Sequence, residues 1–177
     1  MKKIIFILTA LIIFSNSFPQ SKKYSIALNS GVFFPNNEID EFKTGWNIGA
    51  EFQYFKKPWA FFAEFNVNLS RRMEYIYYPE NPPYTKSFIE LTAGPRLYLH
   101  DGNISPFIDA GLGFYFVDYK NKSVWFGASP GIGTAIKINK DFDVLIKAKY
   151  HPHFVANEGG AAVIDYFGFY GGIKYNF

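Results

Sequence analysis

Cysteine is absent from the 177 residues of the chain. Its absence excludes disulfide bonds, thiolate metal sites, cysteine nucleophiles and the lipidated cysteine of a lipoprotein. The net charge is only +3 and the basic residues are scattered, so there is no basic stripe of the kind that binds nucleic acid. Helical periodicity is missing beyond the N-terminal segment. These absences indicate an all-β protein without thiol chemistry.

The one long apolar run lies at the N-terminus. Two lysines precede the run at residues 4–14, and small residues follow it. A run of this length is too short to span a bilayer comfortably and is typical of a signal-peptide core. We therefore predict a signal peptide at residues 1–21, cleaved between Ser17 and Ser21, with an N-terminal membrane anchor as the alternative. The mature chain, residues 22–177, is then exported as a single domain.

From residue 22 onward, apolar and polar side chains alternate with a period of two. In WNIGAEFQY, for example, Trp46, Ile48 and Phe52 point to one side. Asn47 and Glu51 point to the other side. Eight such segments follow one another, and each has about ten residues, the length of a tilted strand that crosses a bilayer.

The connections between these segments alternate in length. The short ones, KKP, HDGN and NKD, contain residues that tight hairpins favour. The longer ones are PNNEIDEFK, RRMEYIYYPENPPYTK, DYKNK and HPHFVANEGGAAV. An even number of strands with one tight and one ragged end predicts an up-and-down meander that closes into a barrel.

Alternation alone does not decide which face of the barrel points outward. A soluble lipocalin-like barrel buries its apolar face around a ligand, and its solvated exterior is rich in Lys and Glu. Here the polar face is mostly Gly, Ser, Asn, Thr and Tyr with isolated charges. Small residues suit a narrow interior, so we predict an all-β fold, an eight-stranded antiparallel up-and-down transmembrane β-barrel whose apolar face contacts lipid.

This orientation places charged side chains in a lumen that side chains fill, where each has to find a partner of opposite charge. We predict that they form an internal polar network without catalytic function. The predicted network consists of Glu51, Glu64, Glu90, Arg96, Asp109, Lys137, Lys147, Lys149 and Lys174.

The chain ends on an aromatic residue, in the segment GGIKYNF. Its Ile173, Tyr175 and Phe177 alternate with polar residues, and we predict that they face lipid, with the last ring at the periplasmic interface. We expect the same aromatic girdle to include Tyr54, Trp59 and Phe142, and the girdle at the opposite rim to include Tyr84, Tyr119 and Trp125.

The tail and several strands resemble a known family. GGIKYNF resembles the C-terminal signature of bacterial outer-membrane proteins, which the outer-membrane assembly machinery recognises. SPFIDAGLGFYF and SPGIGTAIKI resemble strand patterns of the small outer-membrane β-barrels typified by the OmpA barrel domain, OmpX and OmpW. FIELTAGPRLYL is similar to the preceding strand in versions from Bacteroidota-like bacteria. The resemblance spans the mature chain but does not extend to the peptidoglycan-binding domain of full-length OmpA.

The resemblance implies a place in the cell outer membrane, with membrane lipid and the assembly machinery as partners. The family has varied roles, so the fold does not settle the function. We predict a non-enzymatic monomer with a structural or surface-display and adhesion role, without cofactors or nucleic-acid partners. The alternatives are an OmpW-like conduit for small hydrophobic molecules and a lipid A-modifying enzyme.

The segment KYHPHFVANE is the strongest candidate for chemistry. Lipid A deacylases place a Ser two positions after a His, but here His153 stands two positions after His151, so the nucleophile is missing. The two histidines have a spacing that suits a metal, with Glu158 as a further ligand; solvated loop histidines are the alternative. Glu64 and Glu90 resemble a glycosidase pair, but pairing with Lys and Arg is favoured. We therefore predict no catalytic, cofactor or metal site.

The connection at residues 71–86 is the best candidate for binding an extracellular ligand or surface partner. It combines exposed apolar and aromatic side chains with three prolines, and such patches often mark interaction sites. The alternative is that it extends the third and fourth strands beyond the membrane as a hairpin. The candidate residues are Met73, Tyr75, Tyr77, Tyr78 and Tyr84.

Overall fold

The structure, a computed structural model, describes residues 22–36, 44–71, 85–117, 123–157 and 160–177. The strands are β1 (Tyr24–Pro35), β2 (Gly45–Lys56), β3 (Trp59–Arg71), β4 (Thr85–Tyr98), β5 (Ile104–Val117), β6 (Ser123–Lys137), β7 (Phe142–Asn157) and β8 (Gly160–Asn176). Each strand pairs antiparallel with its neighbours in sequence, and β8 pairs with β1. The predicted eight-stranded up-and-down barrel is therefore confirmed. Within the described ranges, no helix is long and apolar enough to cross a membrane.

The first and last strands close the barrel. The Tyr24 amide donates to the Phe177 carbonyl over 3.1 Å, and the Phe177 amide donates back to the Tyr24 carbonyl over 2.9 Å. The two rings stack with centroids 6.0 Å apart. The last residue of the chain therefore completes the hydrogen-bonded ladder, and the seam between β1 and β8 leaves no open edge there.

Burial alternates along the strands, with the apolar residues outside. In β2, Asn47 and Glu51 are fully buried, whereas Trp46 is 52% exposed and Phe52 is 45% exposed. Large apolar side chains cover the outer face of every strand in the same way. Water-soluble proteins bury such residues, so the barrel has the inverted polarity of a membrane-spanning barrel.

The short connections lie together at one end of the barrel. They are the turn at Lys57–Pro58, residues 99–103 and residues 138–141. The predicted signal peptide and the loop residues Met73, Tyr75, Tyr77, Tyr78 and Tyr84 lie outside the described residues.

The segment HPHFVANEGGAAV is not the long connection that the sequence predicted. β7 continues to Asn157 and β8 begins at Gly160, and the two strands stay paired to that point. Pro152 is accommodated because the pairing of β6 with β7 is interrupted there, between Gly127↔His153 and Gly131↔Lys149. Backbone pairing with β8 therefore keeps this segment of β7 extended, although its residues are ones that often form turns.

The prediction for the outer aromatic girdles is wrong at Trp125. Its neighbours Val124 and Phe126 are exposed, so the two-residue period turns Trp125 toward the lumen. Its ring packs against buried lumen aromatics and lies 6.1 Å from the ring of His153. At the short-turn end, Tyr54, Trp59 and Phe142 are exposed on the outer face, while Tyr84 and Tyr119 lie outside the described residues.

Candidate functional site

Arg96 lies at the centre of the lumen and joins two carboxylates. Its Nη1 and Nη2 donate to Glu51 Oε1 and Oε2 over 2.8 and 3.0 Å. Its Nε and Nη2 donate to Asp109 Oδ2 over 3.0 and 2.6 Å. Asp109 faces Arg96 across the β4–β5 ladder, and the Phe107 ring lies 4.0 Å from the guanidinium carbon. The planar guanidinium is suited to this double recognition, which a lysine could not reproduce.

Two lysines of β7 extend this network across the barrel. Lys147 Nζ donates to Glu51 Oε2 over 2.7 Å and to Glu64 Oε1 over 2.5 Å. Lys149 Nζ donates to Glu64 Oε2 over 2.7 Å. All these side chains are fully buried, so no charge is in contact with solvent. Each carboxylate is neutralised by a lysine or arginine of the same network. The connected charges fill the middle of the lumen and tie β2, β3, β4, β5 and β7 together.

Glu90 has different partners from those that the sequence predicted. Tyr166 Oη donates to Glu90 Oε2 over 2.7 Å, and His151 Nδ1 lies 3.3 Å from Glu90 Oε1. Thr92 is a weaker donor at 3.5 Å. The expected pairing of Glu90 with Lys or Arg is therefore wrong. The reason is that Glu64 and Glu90 lie at different levels along the barrel axis. Lys147 and Lys149 reach the carboxylate of Glu64, whereas the carboxylate of Glu90 lies beside a layer of tyrosines and histidines.

The two histidines belong to this second layer, not to a solvated loop. His151 and His153 are buried. Tyr170 Oη lies 2.9 Å from His151 Nε2, and Tyr115 Oη lies 3.1 Å from His151 Nδ1. Among the residues that the structure describes, no group of three histidine and carboxylate side chains is placed to hold a metal ion. Glu158 lies outside them.

Lys137 and Lys174 lie apart from the central network. Lys137 is exposed at the end of β6 and lines the opening of the lumen at the short-turn end, so it lies outside the central network. Lys174 is buried near the short-turn end and pairs with Asp143 over 2.7 Å.

Apolar clusters close the lumen on both sides of the charged layer. The short-turn side is filled by Ala27, Ala60, Tyr98, Phe107, Ala135 and Leu145. The opposite side is filled by Phe33, Phe88, Tyr115 and Tyr166, with Trp125 packed against them. The predicted network did not include these aromatic residues. Their position in the two-residue period, on the same face as the charges, is the sequence signal that places them in the lumen.

Comparison with known proteins identifies the fold. No family profile matches the sequence, and no curated protein matches it. Neisserial surface protein A is similar in structure, with a TM-score of 0.66 over 87% of this chain and 97% of that one, at 11% identity. Outer Membrane Protein W of E. coli is similar with a TM-score of 0.58 over 90% of this chain and all (100%) of that one, at 15% identity.

Ail, the attachment invasion locus protein of Yersinia pestis, is also similar, with a TM-score of 0.54 over 89% of this chain and 100% of that one, at 15% identity. The chain therefore has the fold of the small eight-stranded outer-membrane barrels, as its sequence predicted. At these identities the likeness extends to the fold alone, so the function has to be argued from this chain's own residues.

Proposed function

We propose that the protein is an integral, non-enzymatic barrel of a bacterial outer membrane, exported by its N-terminal segment, with a structural or surface-display role. The observation that carries this proposal is the inverted polarity of the barrel. Leu112 is 60% exposed and Ile132 is 63% exposed on the outer face, while Arg96 and its carboxylate partners are fully buried inside. Hydrocarbon accommodates such an outer face, and water does not.

The filled lumen favours display over transport. Ions crossing the barrel would have to pass two apolar clusters and a charged layer whose members are bonded to each other. Such a barrel is suited to holding loops at a membrane surface. Ail is an attachment protein by name and has a similar fold, which supports adhesion by loops, including the connection with Met73, Tyr75, Tyr77, Tyr78 and Tyr84.

The aromatic cluster at the end opposite the short turns favours one alternative, a conduit for small hydrophobic molecules. Phe33, Phe88 and Tyr166 contact one another edge to face, with ring centroids 5.5 to 5.6 Å apart. These rings offer an apolar surface that such a molecule could displace. Their mutual packing stabilises the closed arrangement, so we rank the conduit second.

Conductance across planar bilayers tests the proposal. We expect the purified protein to insert without steady ion current, because the charged layer and both apolar clusters block the lumen. A steady current would contradict the closed barrel. Protein-dependent uptake of a small hydrophobic dye into vesicles would favour the conduit, and altered lipid A after overexpression would favour the enzyme.

A further inference from the structure

A basin rich in lysine opens at the end of the lumen that carries the short turns. We call it the mouth basin, and its volume is about 120 Å³. That volume is several times the roughly 10–15 Å³ that admits one water molecule, so a small polyatomic group fits. Phe55, Tyr98 and Ala135 line its apolar part. Its lysines are Lys22, Lys57, Lys137, Lys140 and Lys174.

Three of the five lysines are held by aspartates. Lys57 pairs with Asp101 over 2.6 Å, and Lys174 pairs with Asp143 over 2.7 Å. Lys174 is 3% exposed and its Nζ also lies 5.2 Å from the centroid of the Phe55 ring. The buried ammonium is thus fixed at the inner side of the basin.

The third pair lies at the rim. Lys22 Nζ donates to Asp141 Oδ1 over 2.5 Å, and this hydrogen bond lowers the pKa of the Asp141 carboxyl below its ordinary value. Asp141 therefore stays charged and occupied with Lys22 at neutral pH. The charge of Lys140 also lowers the pKa of Asp141, but the ion pair of Asp141 is with Lys22.

Lys137 and Lys140 are the two remaining lysines of the basin. Both are exposed, and within the described ranges neither makes an ion pair. Five lysines face three aspartates, Asp101, Asp141 and Asp143, so the basin has an excess of two positive charges. Neutral donors, the Ser105 hydroxyl and the Asn176 amide, line it as well.

We infer that the mouth basin binds an anion bearing a phosphate monoester or inorganic phosphate, either free or as a lipid headgroup. Such a group carries about −1.5 to −2 charges at pH 7, which matches the excess of two lysines. Ammonium groups bind phosphate as point charges, without the forked geometry that a guanidinium offers. Basic pockets near a membrane surface bind anionic headgroups in the same way. The inference needs only the barrel fold and is independent of the display role.

Binding is tested with the full mature chain, isotope-labelled and inserted in phosphatidylcholine nanodiscs. Inorganic phosphate is titrated at constant ionic strength, and the backbone amides of Gly102, Lys137 and Lys140 are followed by NMR. We expect saturable shifts that are confined to the mouth basin. The variant Lys137→Gln/Lys140→Gln should weaken the apparent affinity roughly fivefold or more, as expected for the loss of two exposed charge interactions.

Lys56→Gln is the matched control, because Lys56 is exposed at the same end of the barrel and does not line the basin. It should leave the affinity unchanged, and Lys137→Arg/Lys140→Arg should retain binding. Replacing part of the lipid with phosphatidic acid distinguishes a lipid headgroup from a free anion as the ligand. Shifts with phosphatidic acid alone assign a headgroup site. Shifts with inorganic phosphate alone assign a site for the free ion. No saturable shift with either probe, or equal loss in Lys56→Gln, would overturn the inference.

Discussion

At the scale of single residues, Arg96 holds the charged layer together. It is fully buried and bonds both Glu51 and Asp109, so removing it leaves two carboxylates without their main partner. We expect Arg96→Met to lower the free energy of unfolding by about 3–5 kcal/mol, the usual cost of breaking a buried ion pair from one side. Urea unfolding in phospholipid vesicles measures this loss.

Lys56→Met is the control for Arg96→Met, because it also removes one positive charge but from an exposed position. It should change the free energy of unfolding by less than about 0.5 kcal/mol. A loss below about 1 kcal/mol in Arg96→Met would mean that the network contributes far less than its burial implies.

Gly133 makes room for the ring that covers Arg96. A Cβ atom there would overlap Cζ of Phe107 and would lie 2.5 Å from the Ile146 carbonyl oxygen. We expect Gly133→Ala to cost about 1–3 kcal/mol of stability through overpacking. Gly171→Ala, where a Cβ would meet nothing within 4 Å, should be close to neutral. Equal effects of the two substitutions in the same urea assay would refute this account of Gly133.

At the scale of strands, the alternation of side chains was sufficient to predict the fold. A strand with one apolar and one polar face can be recognised in the sequence, because its side chains alternate with a period of two. All eight strands of the barrel show this alternation. The β7–β8 connection was mispredicted because proline, asparagine and glycine are usually turn residues. Here β8 pairs with β7 throughout the segment. The residue pattern of one strand does not indicate which other strand will pair with it.

The partners inside the lumen were less predictable than the faces. Alternation places Glu64 and Glu90 in the interior, but which base each meets depends on register and height across the closed barrel. Glu64 meets Lys147 and Lys149, whereas Glu90 meets Tyr166 and His151. Contacts of this kind form between residues more than 60 positions apart in the chain, so only the three-dimensional closure determines them.

Strand β5 offers a test of where hydrocarbon begins and ends. Leu112 and Ile104 are exposed alike, at 60% and 59%, but Leu112 lies in mid-strand and Ile104 is the first residue after a short turn. We expect Leu112→Arg to cost about 2–4 kcal/mol in vesicles and Ile104→Arg about 0–1 kcal/mol, because the cost of a lipid-facing charge depends on depth.

Unfolding of both variants in phospholipid vesicles checks this prediction. If both arginines were tolerated equally, the outer face of β5 would not cross a hydrocarbon layer. That result would count against the membrane-spanning barrel, whereas an intermediate cost at both positions would indicate a different depth for the strand.

At the scale of the whole molecule, the barrel has an apolar outer wall and three filled layers inside. The layers are the apolar cluster near the short turns, the connected charges and the aromatic cluster toward the other end. The interior is thus filled by packed side chains, and we propose that recognition takes place at the loops and at the mouth basin. The same barrel fold can therefore carry different functions, which depend on the residues at its ends.

The three tryptophans report on this arrangement directly. Trp46 and Trp59 are 52% and 42% exposed on the outer wall, whereas Trp125 packs inward against the aromatic cluster. The measurement is fluorescence quenching of single-tryptophan variants in vesicles with brominated acyl chains. We expect strong quenching of Trp46 and Trp59 and weak quenching of Trp125. Unquenched Trp46 and Trp59, or Trp125 quenched as strongly as they are, would contradict a barrel whose apolar face contacts lipid.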